Sequence, residues 1–216
     1  MFKQTPLQVS CKFHPKLVEY IRERIGSFDT IPGTRKEDLA KVVSYIRDHV
    51  AKSLPTHLTF ICTHNSRRSH FAQIWAHIAA ECYGIPGVKT FSGGTEATAF
   101  NPSAVAALRR CGLKITCENL NVVNPRYLVH TSEDAEPLIC FSKVYDAPPN
   151  PTKGYCAIMT CSQADETCPI VAGCEFRIPI RYEDPKVADG TELEAQKYDE
   201  RSAQICTEML YLMSLI

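Results

Sequence analysis

The pattern with the clearest chemical potential is a cysteine followed by five residues and an arginine, Cys62 to Arg68, with Ser69 directly after it. The segment lies between a short β-rich run and a helical pattern. In such a connection successive backbone N–H groups and a helix N-terminus converge on one point, where they bind a tetrahedral oxyanion. The same field favours thiolate over thiol at Cys62. The pattern therefore predicts a nucleophilic cysteine in an oxyanion-binding loop.

The side chains of this loop fit that prediction. The planar fork of Arg68 binds two anion oxygens at once, which a lysine could not reproduce. Ser69 can donate a hydrogen bond to the thiolate, and Asn65 tolerates left-handed backbone geometry and can brace the loop. The alternative, a buried cysteine beside two surface arginines, is disfavoured by the strand before the loop and the helix after it. The residues expected to bind the substrate are Thr63, His64, Asn65, Ser66, Arg67 and Ser69, with His64 also placed to tune the thiolate.

A second cysteine pattern is Cys161 and Cys168, which six residues separate and which Pro169 follows. Cys161 comes directly after a predicted strand, so it should lie at the carboxyl edge of the sheet, where ligands bind in open α/β folds. The two cysteines can pair if the segment between them loops out or is a helical turn that unwinds. The alternatives are two structural cysteines, or a zinc site with Cys174. Zinc sites usually contain closer cysteine pairs than this stretch offers.

The chain contains 11 cysteines. An odd number, without an export signal, argues against a secreted disulfide framework. We therefore expect packing roles for the cysteines outside the two patterns: Cys11, Cys82, Cys111, Cys117, Cys140, Cys156, Cys174 and Cys206.

Strands alternate with helices from His57 onward, which predicts a parallel sheet covered on both faces. The fold class expected is α/β, a three-layer sandwich with a central, mostly parallel four-stranded sheet and an N-terminal helical extension. The predicted strands are 57–62, 88–91, 155–160 and 176–181. The predicted helices are one with an apolar face from Phe71 to Cys82 that ends at Gly84, one from Asn101-Pro102 to Gly112, and a last one opening with a capping box at Thr191 and Glu194.

Two regions lie outside this alternation. Residues 1–55 read as a helical N-terminal extension of the domain at 56–216, with Leu17, Ile21, Ile25 and Phe28 on one helical face and a capping box at Thr34 and Glu37. An insertion near 121–153 contains two short β-like runs, 127–130 and 138–141, and then a proline cluster. We expect a hairpin followed by an irregular loop.

Composition excludes several classes of function. The formal net charge is zero, with 44% hydrophobic and 22% charged residues, so no global field would attract nucleic acid or an anionic membrane. No apolar run reaches the roughly 18 residues of a membrane span. The first residues lack the apolar centre of a signal peptide, and we therefore expect a cytoplasmic location. His70 and His77 have no partners at metal spacing, so we expect no metal site and read them as packing or solvent-side residues.

The loop C-T-H-N-S-R-R-S at 62–69 resembles the C-x-G-N-x-C-R-S loop of the low-molecular-weight protein tyrosine phosphatase superfamily. His64 replaces the loop glycine, and Arg67 replaces the second loop cysteine, which removes a nearby thiol and adds a positive charge. Ser92 to Glu96 and Asn101-Pro102 are also similar to this superfamily. Glu183-Asp184-Pro185 looks like its Asp-Pro loop, and the resemblance implies that Asp184 is the general acid.

The segment from Cys161 to Ile170 closely resembles the redox segment of the thioredoxin-coupled arsenate reductases in this superfamily. That resemblance implies a relay in which Cys62 attacks arsenate, Cys161 attacks Cys62 and releases arsenite, and Cys168 attacks Cys161. It also implies no tightly bound cofactor, thioredoxin as the external reductant and partner, and a small oxyanion as the ligand.

Two other functions stay open at this point. A phosphatase would need only Cys62, Arg68 and Asp184, with Asp184 protonating the leaving oxygen of a phosphate ester. Lys186-Val187 follow the Asp-Pro pair where phosphatases of this group carry aromatic residues, which favours the reductase. A non-catalytic oxyanion-binding protein would need no activated thiol at all. The sequence leaves the oligomeric state open.

Overall fold

The computed structural model describes residues 13–216, so the start of the predicted extension and Cys11 lie outside the described residues. The helices are α1 (Pro15–Ile25), α2 (Gly33–Ala51), α3 (Arg68–Cys82), α4 (Pro102–Arg110), α5 (Ser162–Thr167) and α6 (Glu194–Ser214). The strands are β1 (Thr56–Cys62), β2 (Val88–Gly94), β3 (Lys114–Cys117), β4 (Tyr127–His130), β5 (Leu138–Cys140), β6 (Tyr155–Met159) and β7 (Cys174–Pro179). Short 3-10 turns occupy Phe28–Thr30 and Pro185–Ala188.

The central sheet has four strands in the order β2-β1-β6-β7, and all three neighbouring pairs are parallel. Strands β1 and β6 occupy the middle and are almost completely buried, as expected for parallel strands covered on both faces. Leu58 and Phe60 pack into the larger core with α1, α2, α3, α4 and α6, whereas Ile61 belongs to a second core beneath α5. The predicted α/β three-layer architecture is confirmed.

The N-terminal helices α1 and α2 both contact α6. Leu17 and Ile21 of α1 are fully buried in the main core, and Ile25 and Phe28 pack partly buried against it. The predicted capping box at Thr34 and Glu37 is wrong, because α2 already begins at Gly33 with Pro32 as its N-cap and no side-chain cap. The ring of Pro32 fixes the extended backbone that precedes the helix.

The capping box predicted at Thr191 and Glu194 is also wrong. The last helix begins at Glu194 with Leu193 as its N-cap. The Thr191 N–H donates to the Ala188 carbonyl, so Thr191 belongs to the preceding turn. By contrast, the cap predicted for α4 is confirmed, because the Asn101 side chain accepts hydrogen bonds from the N–H groups of Ser103 and Ala104, at 2.8 and 3.2 Å.

The insertion contains the predicted hairpin, since β4 and β5 pair antiparallel. Strand β3, which the sequence analysis missed, pairs antiparallel with β4 to complete a separate three-stranded sheet. Strand β2 continues through Ser92, Gly93 and Gly94, three residues beyond the predicted end at Phe91. A Cβ on Gly93 would lie 2.3 Å from the Tyr145 Cα, so only glycine allows the segment after β5 to pack this closely.

Among residues 13–216, no helix is both long enough and apolar enough to cross a membrane.

Candidate active site

The loop from Cys62 to Arg68 connects the end of β1 to the start of α3, at the carboxyl edge of the sheet. Five of its seven residues are buried, and Asn65 adopts the left-handed conformation, with φ at 45°. Within the described residues, none of the N–H groups of residues 63–67 donates a hydrogen bond to a protein acceptor. Buried N–H groups are nearly always paired. A cluster of unpaired N–H groups at the N-terminus of a helix is the arrangement that binds an anion.

The Cys62 sulfur lies 3.1 Å from the Ser69 hydroxyl oxygen. That oxygen accepts a hydrogen bond of 2.9 Å from the Asn65 side-chain amide. When Cys62 is a thiolate it has no hydrogen to donate, so the Ser69 hydroxyl then donates to the sulfur. The Asn65 oxygen accepts a hydrogen bond of 3.0 Å from the Lys143 N–H. Asn65 therefore ties the loop to the segment after β5 and orients Ser69 toward Cys62.

Arg68 lies at the first position of α3, and three of its nitrogens have different surroundings. One terminal nitrogen, Nη1, donates to the Tyr182 carbonyl at 3.2 Å, and Nη2 donates to Asp184 Oδ2 at 2.6 Å. The Nε atom is buried without a partner. Its hydrogen is therefore free for an oxyanion, in a pocket lined by Cys62, His64, Ser66, Arg67, Arg68 and Asp184.

The carboxylate of Asp184 is bound by both arginines of the loop. Arg67 Nε donates to Asp184 Oδ1 at 2.9 Å, while Arg68 binds the other oxygen. The Lys186 N–H also donates to Oδ1, at 3.1 Å. Burial by itself would raise the pKa of Asp184, but the charges of Arg68 and Arg67 outweigh it and hold the pKa below its usual value. At neutral pH this carboxyl group is ionised and has no proton to donate.

Cys161 comes two residues after the end of β6, next to the strand that ends in Cys62. Its sulfur lies 3.5 Å from the Thr63 hydroxyl and accepts a hydrogen bond of 3.3 Å from the Ala164 N–H, which makes Cys161 the N-cap of α5. Cys161 is buried, like Cys62, and both belong to the second core. The structure therefore brings the two predicted thiols to the same edge of the sheet.

Cys168 ends the short helix α5 and is half-buried. It packs against the same second core as Cys62 and Cys161, and its thiol donates to the Ile170 carbonyl at 3.4 Å. Arg177 donates to the Cys168 carbonyl at 3.1 Å and to the Asp165 carboxylate at 2.5 Å, which fixes α5 against β7. The predicted helical turn between the two cysteines is present.

Several contacts of the site could not be read from the sequence. The Gln163 side-chain oxygen accepts a hydrogen bond of 3.2 Å from the Thr63 hydroxyl, and the Tyr182 carbonyl orients Arg68. Both contacts join residues about a hundred positions apart, so no local sequence pattern predicts them. His64 has an exposed ring 3.7 Å from the Glu96 carboxylate. His70 is a packing residue, since it is fully buried and stacks on Phe100 with ring centroids 4.0 Å apart.

Within residues 13–216, no group of three or more histidine, cysteine or acidic residues is arranged to hold a metal ion. Cys174 and Cys117 are half-buried, and the other cysteines expected to have packing roles are buried: Cys82, Cys111, Cys140, Cys156 and Cys206. Burial raises the pKa of Cys140 to about 12, as expected for a cysteine that serves as an apolar side chain.

Curated proteins with similar sequences are bacterial arsenate reductases. The chain is 28% identical over 144 residues to the arsenate reductase of Bacillus licheniformis, an alignment that covers 66% of this chain and 83% of that protein. It is 26% identical over 142 residues to the arsenate reductase of Bacillus subtilis, with the same shares covered. These relatives confirm the predicted resemblance to arsenate reductases and confirm that the chain is an enzyme. No protein-family model matches the chain.

Solved structures with a similar arrangement include an arsenate reductase in the phosphate binding state, at 19% identity and a TM-score of 0.49, covering 73% of this chain and 96% of that one. Another is a low-molecular-weight phosphotyrosine phosphatase from Vibrio cholerae, at 12% identity and a TM-score of 0.45, covering 73% and 93%.

Proposed function

We propose that this protein is an arsenate reductase that uses Cys62 as its nucleophile and passes the resulting oxidation through Cys161 and Cys168 to thioredoxin. The observation that carries the proposal is the position of Cys161. It is buried beside the Cys62 loop, with its sulfur 3.5 Å from the Thr63 hydroxyl, and Cys168 packs against the same core. A hydrolase has no use for two more thiols here, whereas a reductase needs a source of two electrons.

The first step is attack of the Cys62 thiolate on the arsenic of dihydrogen arsenate. A sulfur–arsenic bond forms and an arsenic–oxygen bond breaks, and that oxygen leaves as water with both protons of the arsenate. The N–H groups of the loop and the free Nε of Arg68 hold the remaining oxygens. The Ser69 hydroxyl, 3.1 Å from the sulfur, stabilises the thiolate before attack and again when it leaves.

In the second step the Cys161 thiolate attacks the Cys62 sulfur. A disulfide forms, the sulfur–arsenic bond breaks, and its electron pair stays on arsenic, which leaves as arsenite. In the third step Cys168 attacks Cys161 and Cys62 departs as a thiolate. The dithiol of thioredoxin then reduces the Cys161–Cys168 disulfide, so thioredoxin becomes oxidised and the three cysteines return to their starting state.

The alternative is a phosphatase that hydrolyses phosphate monoesters through a phosphocysteine on Cys62. It would require Asp184 to protonate the leaving oxygen, but in this arrangement both oxygens of Asp184 bind arginines and its pKa is lowered. In addition, Val187 is 84% exposed at the place where an aromatic platform would bind phosphotyrosine. Both features favour the reductase. A non-catalytic anion-binding protein is disfavoured by the contact between Ser69 and Cys62.

The test is arsenate-dependent oxidation of NADPH in the presence of thioredoxin and thioredoxin reductase, measured beside hydrolysis of an aryl phosphate. We expect arsenate turnover from the wild-type protein and none from Cys62→Ser. Cys117→Ser, which changes a half-buried cysteine outside both patterns, is the matched control and should keep wild-type turnover. Hydrolysis of the ester without any arsenate turnover would make the phosphatase the correct function. If Cys62→Ser keeps both activities, Cys62 is not the nucleophile and both proposed functions are excluded.

A further inference from the structure

The ion pairs at the mouth of the pocket form a unit, the Asp184 clamp, which consists of Arg67, Asp184 and Arg68. Arg67 Nε lies 2.9 Å from one carboxylate oxygen and Arg68 Nη2 lies 2.6 Å from the other. All three side chains are at least three-quarters buried. An ion pair that is shielded from water in this way is held more firmly than a surface pair.

Arg68 is also expected to bind the attacked anion through its guanidinium group. Among the described residues, the side chain of Arg67 makes no hydrogen bond other than the one to Asp184. Cys62, His64 and Arg68 line the same pocket as Arg67. Tyr198 and Asp189 also act on the charge of Arg67, and they bond to each other, with the Tyr198 hydroxyl donating to Asp189 at 2.8 Å. The one carboxylate that Arg67 binds directly is therefore the one that a hydrolase would use as its acid.

We propose that Arg67 is the residue that determines the specificity of this site, because it holds Asp184 in the clamp and so favours arsenate over phosphate esters. The arsenate half of this inference rests on the proposed function, and the ester half does not. Cleavage of an ester breaks a bond to an oxygen that carries no proton, so a poor leaving group such as an alkoxide or unsubstituted phenolate needs a proton from an acid. Dihydrogen arsenate carries two protons on its own oxygens, which is enough to release one oxygen as water without help from Asp184.

The lowered pKa of Asp184 agrees with this role. Burial alone would keep the carboxyl protonated to higher pH, and the two guanidinium charges reverse that tendency. Without Arg67, Arg68 and the Lys186 N–H are left to oppose the effect of burial, and an anion bound in the pocket would compete with Asp184 for Arg68. The carboxyl would then be protonated over a wider range of pH.

The experiment compares two esters that differ in their need for an acid. The nitrophenolate of p-nitrophenyl phosphate is a good leaving group, whereas phenyl phosphate depends on protonation. We expect Arg67→Gln to hydrolyse phenyl phosphate about tenfold faster than wild type, which is part of the rate acceleration that a general acid can contribute. The rate of p-nitrophenyl phosphate hydrolysis should change far less. The fall in activity toward high pH should also move to higher pH. Arg67→Lys keeps the positive charge beside Asp184, so it should keep the wild-type ratio of the two ester rates even if both rates fall.

The matched control is Lys186→Gln, which removes an exposed positive charge two residues from Asp184 without touching its carboxylate. It should leave both ester activities and their pH profiles unchanged. Protection of Cys62 from iodoacetamide by inorganic phosphate shows, for each variant, that the loop is folded and binds anions. If Arg67→Gln passes that check but keeps the wild-type ratio of the two ester rates and the wild-type pH profile, the inference is overturned. If Arg67→Gln fails the check, Arg67→Lys is the deciding variant. Faster phenyl phosphate hydrolysis in Arg67→Lys than in wild type would show that the positive charge does not maintain the clamp, and would overturn the inference.

Failure of the proposed function would look different. Wild-type protein without thioredoxin-coupled arsenate turnover would remove the reductase, while a gain of phenyl phosphate hydrolysis in Arg67→Gln would still establish the clamp.

Discussion

The Thr63 hydroxyl lies 3.5 Å from the Cys161 sulfur, so the nucleophile loop and the redox segment are in contact. Thr63 follows Cys62 directly, and the strands that lead to the two cysteines are neighbours in a parallel sheet, where chains run about 4.8 Å apart. A disulfide requires Cα atoms within about 7 Å. The chain path therefore allows a disulfide between Cys62 and Cys161 with local rearrangement only.

The relay predicts separate effects of its two resolving cysteines. Cys161→Ser and Cys168→Ser should each abolish thioredoxin-coupled arsenate turnover, while hydrolysis of p-nitrophenyl phosphate continues at the wild-type rate. Cys168→Ser should release one arsenite per protein and then stop as a Cys62–Cys161 disulfide, which mass spectrometry of the alkylated protein detects. Cys174→Ser, a half-buried cysteine that packs against the same core, is the control and should keep turnover. Turnover that persists in both of the first two variants would contradict the relay.

The loop predicts that Cys62 is the fastest thiol to react at low pH. At pH 6, iodoacetamide should alkylate Cys62 well before Cys140, which burial keeps protonated with a pKa of about 12. Inorganic phosphate should slow the reaction at Cys62 alone, and Arg68→Lys should weaken that protection because a lysine cannot bind two oxygens. Equal labelling of Cys62 and Cys140 at pH 6, followed by peptide mapping, would show that the loop does not activate its cysteine.

Asn65 should be required for the stability of the loop. It is fully buried, and both ends of its amide are hydrogen-bonded. Asn65→Ala should lower the free energy of unfolding by about 1–3 kcal/mol through the lost hydrogen bonds. Asn65→Gly loses the same bonds but accommodates the positive φ, so it should be more stable than Asn65→Ala by about 1 kcal/mol in urea denaturation. If the two variants unfold at the same urea concentration, backbone strain plays no part here.

The N-terminal helix α2 should stabilise the element that carries Asp184. Arg35 of α2 binds the buried Glu208 with Nε 2.9 Å from Oε2, and the Tyr182 hydroxyl donates to the same oxygen at 2.8 Å. Arg35→Met leaves that carboxylate without its cation and should lower the free energy of unfolding by on the order of 3 kcal/mol. Lys41→Met breaks only an exposed pair and should cost less than about 1 kcal/mol. Similar losses in the two variants would contradict a buried network.

The Asp184 clamp predicts a pH dependence of stability. The folded state lowers the pKa of Asp184 below its usual value of 3.8, so the clamp contributes stability that is present above that pH. This contribution is lost as the pH falls through the lower value of the folded state. The difference in unfolding free energy between wild type and Asp184→Asn should therefore be larger at pH 7 than at pH 2. A difference that stays constant over this range would mean that the pKa of Asp184 is the same in the folded and unfolded chains.

Local patterns in the sequence were enough to predict the parallel sheet, the loop from Cys62 to Arg68 and the position of Cys161 at the carboxyl edge. Apolar periodicity sets which segments become strands or helices, and the ends of parallel strands meet at one edge by necessity. The capping boxes predicted at Thr34 and Thr191 were wrong because the backbone next to each motif is fixed by other residues. A short motif cannot report that a proline or a preceding turn already fixes the backbone beside it.

Only the tertiary structure decided which groups surround Asp184. Its partners Arg67 and Arg68 lie more than a hundred residues away along the chain, and no spacing rule joins them. The resemblance implied a general acid at this position. A matching motif indicates the role of a residue in the family, but it does not indicate which side chains surround that residue in this protein. Folding places two guanidinium groups against the carboxylate in a largely buried site, and the resulting charge balance determines whether Asp184 holds a proton. That balance depends on distances of a few ångströms between remote segments, which the order of residues does not contain.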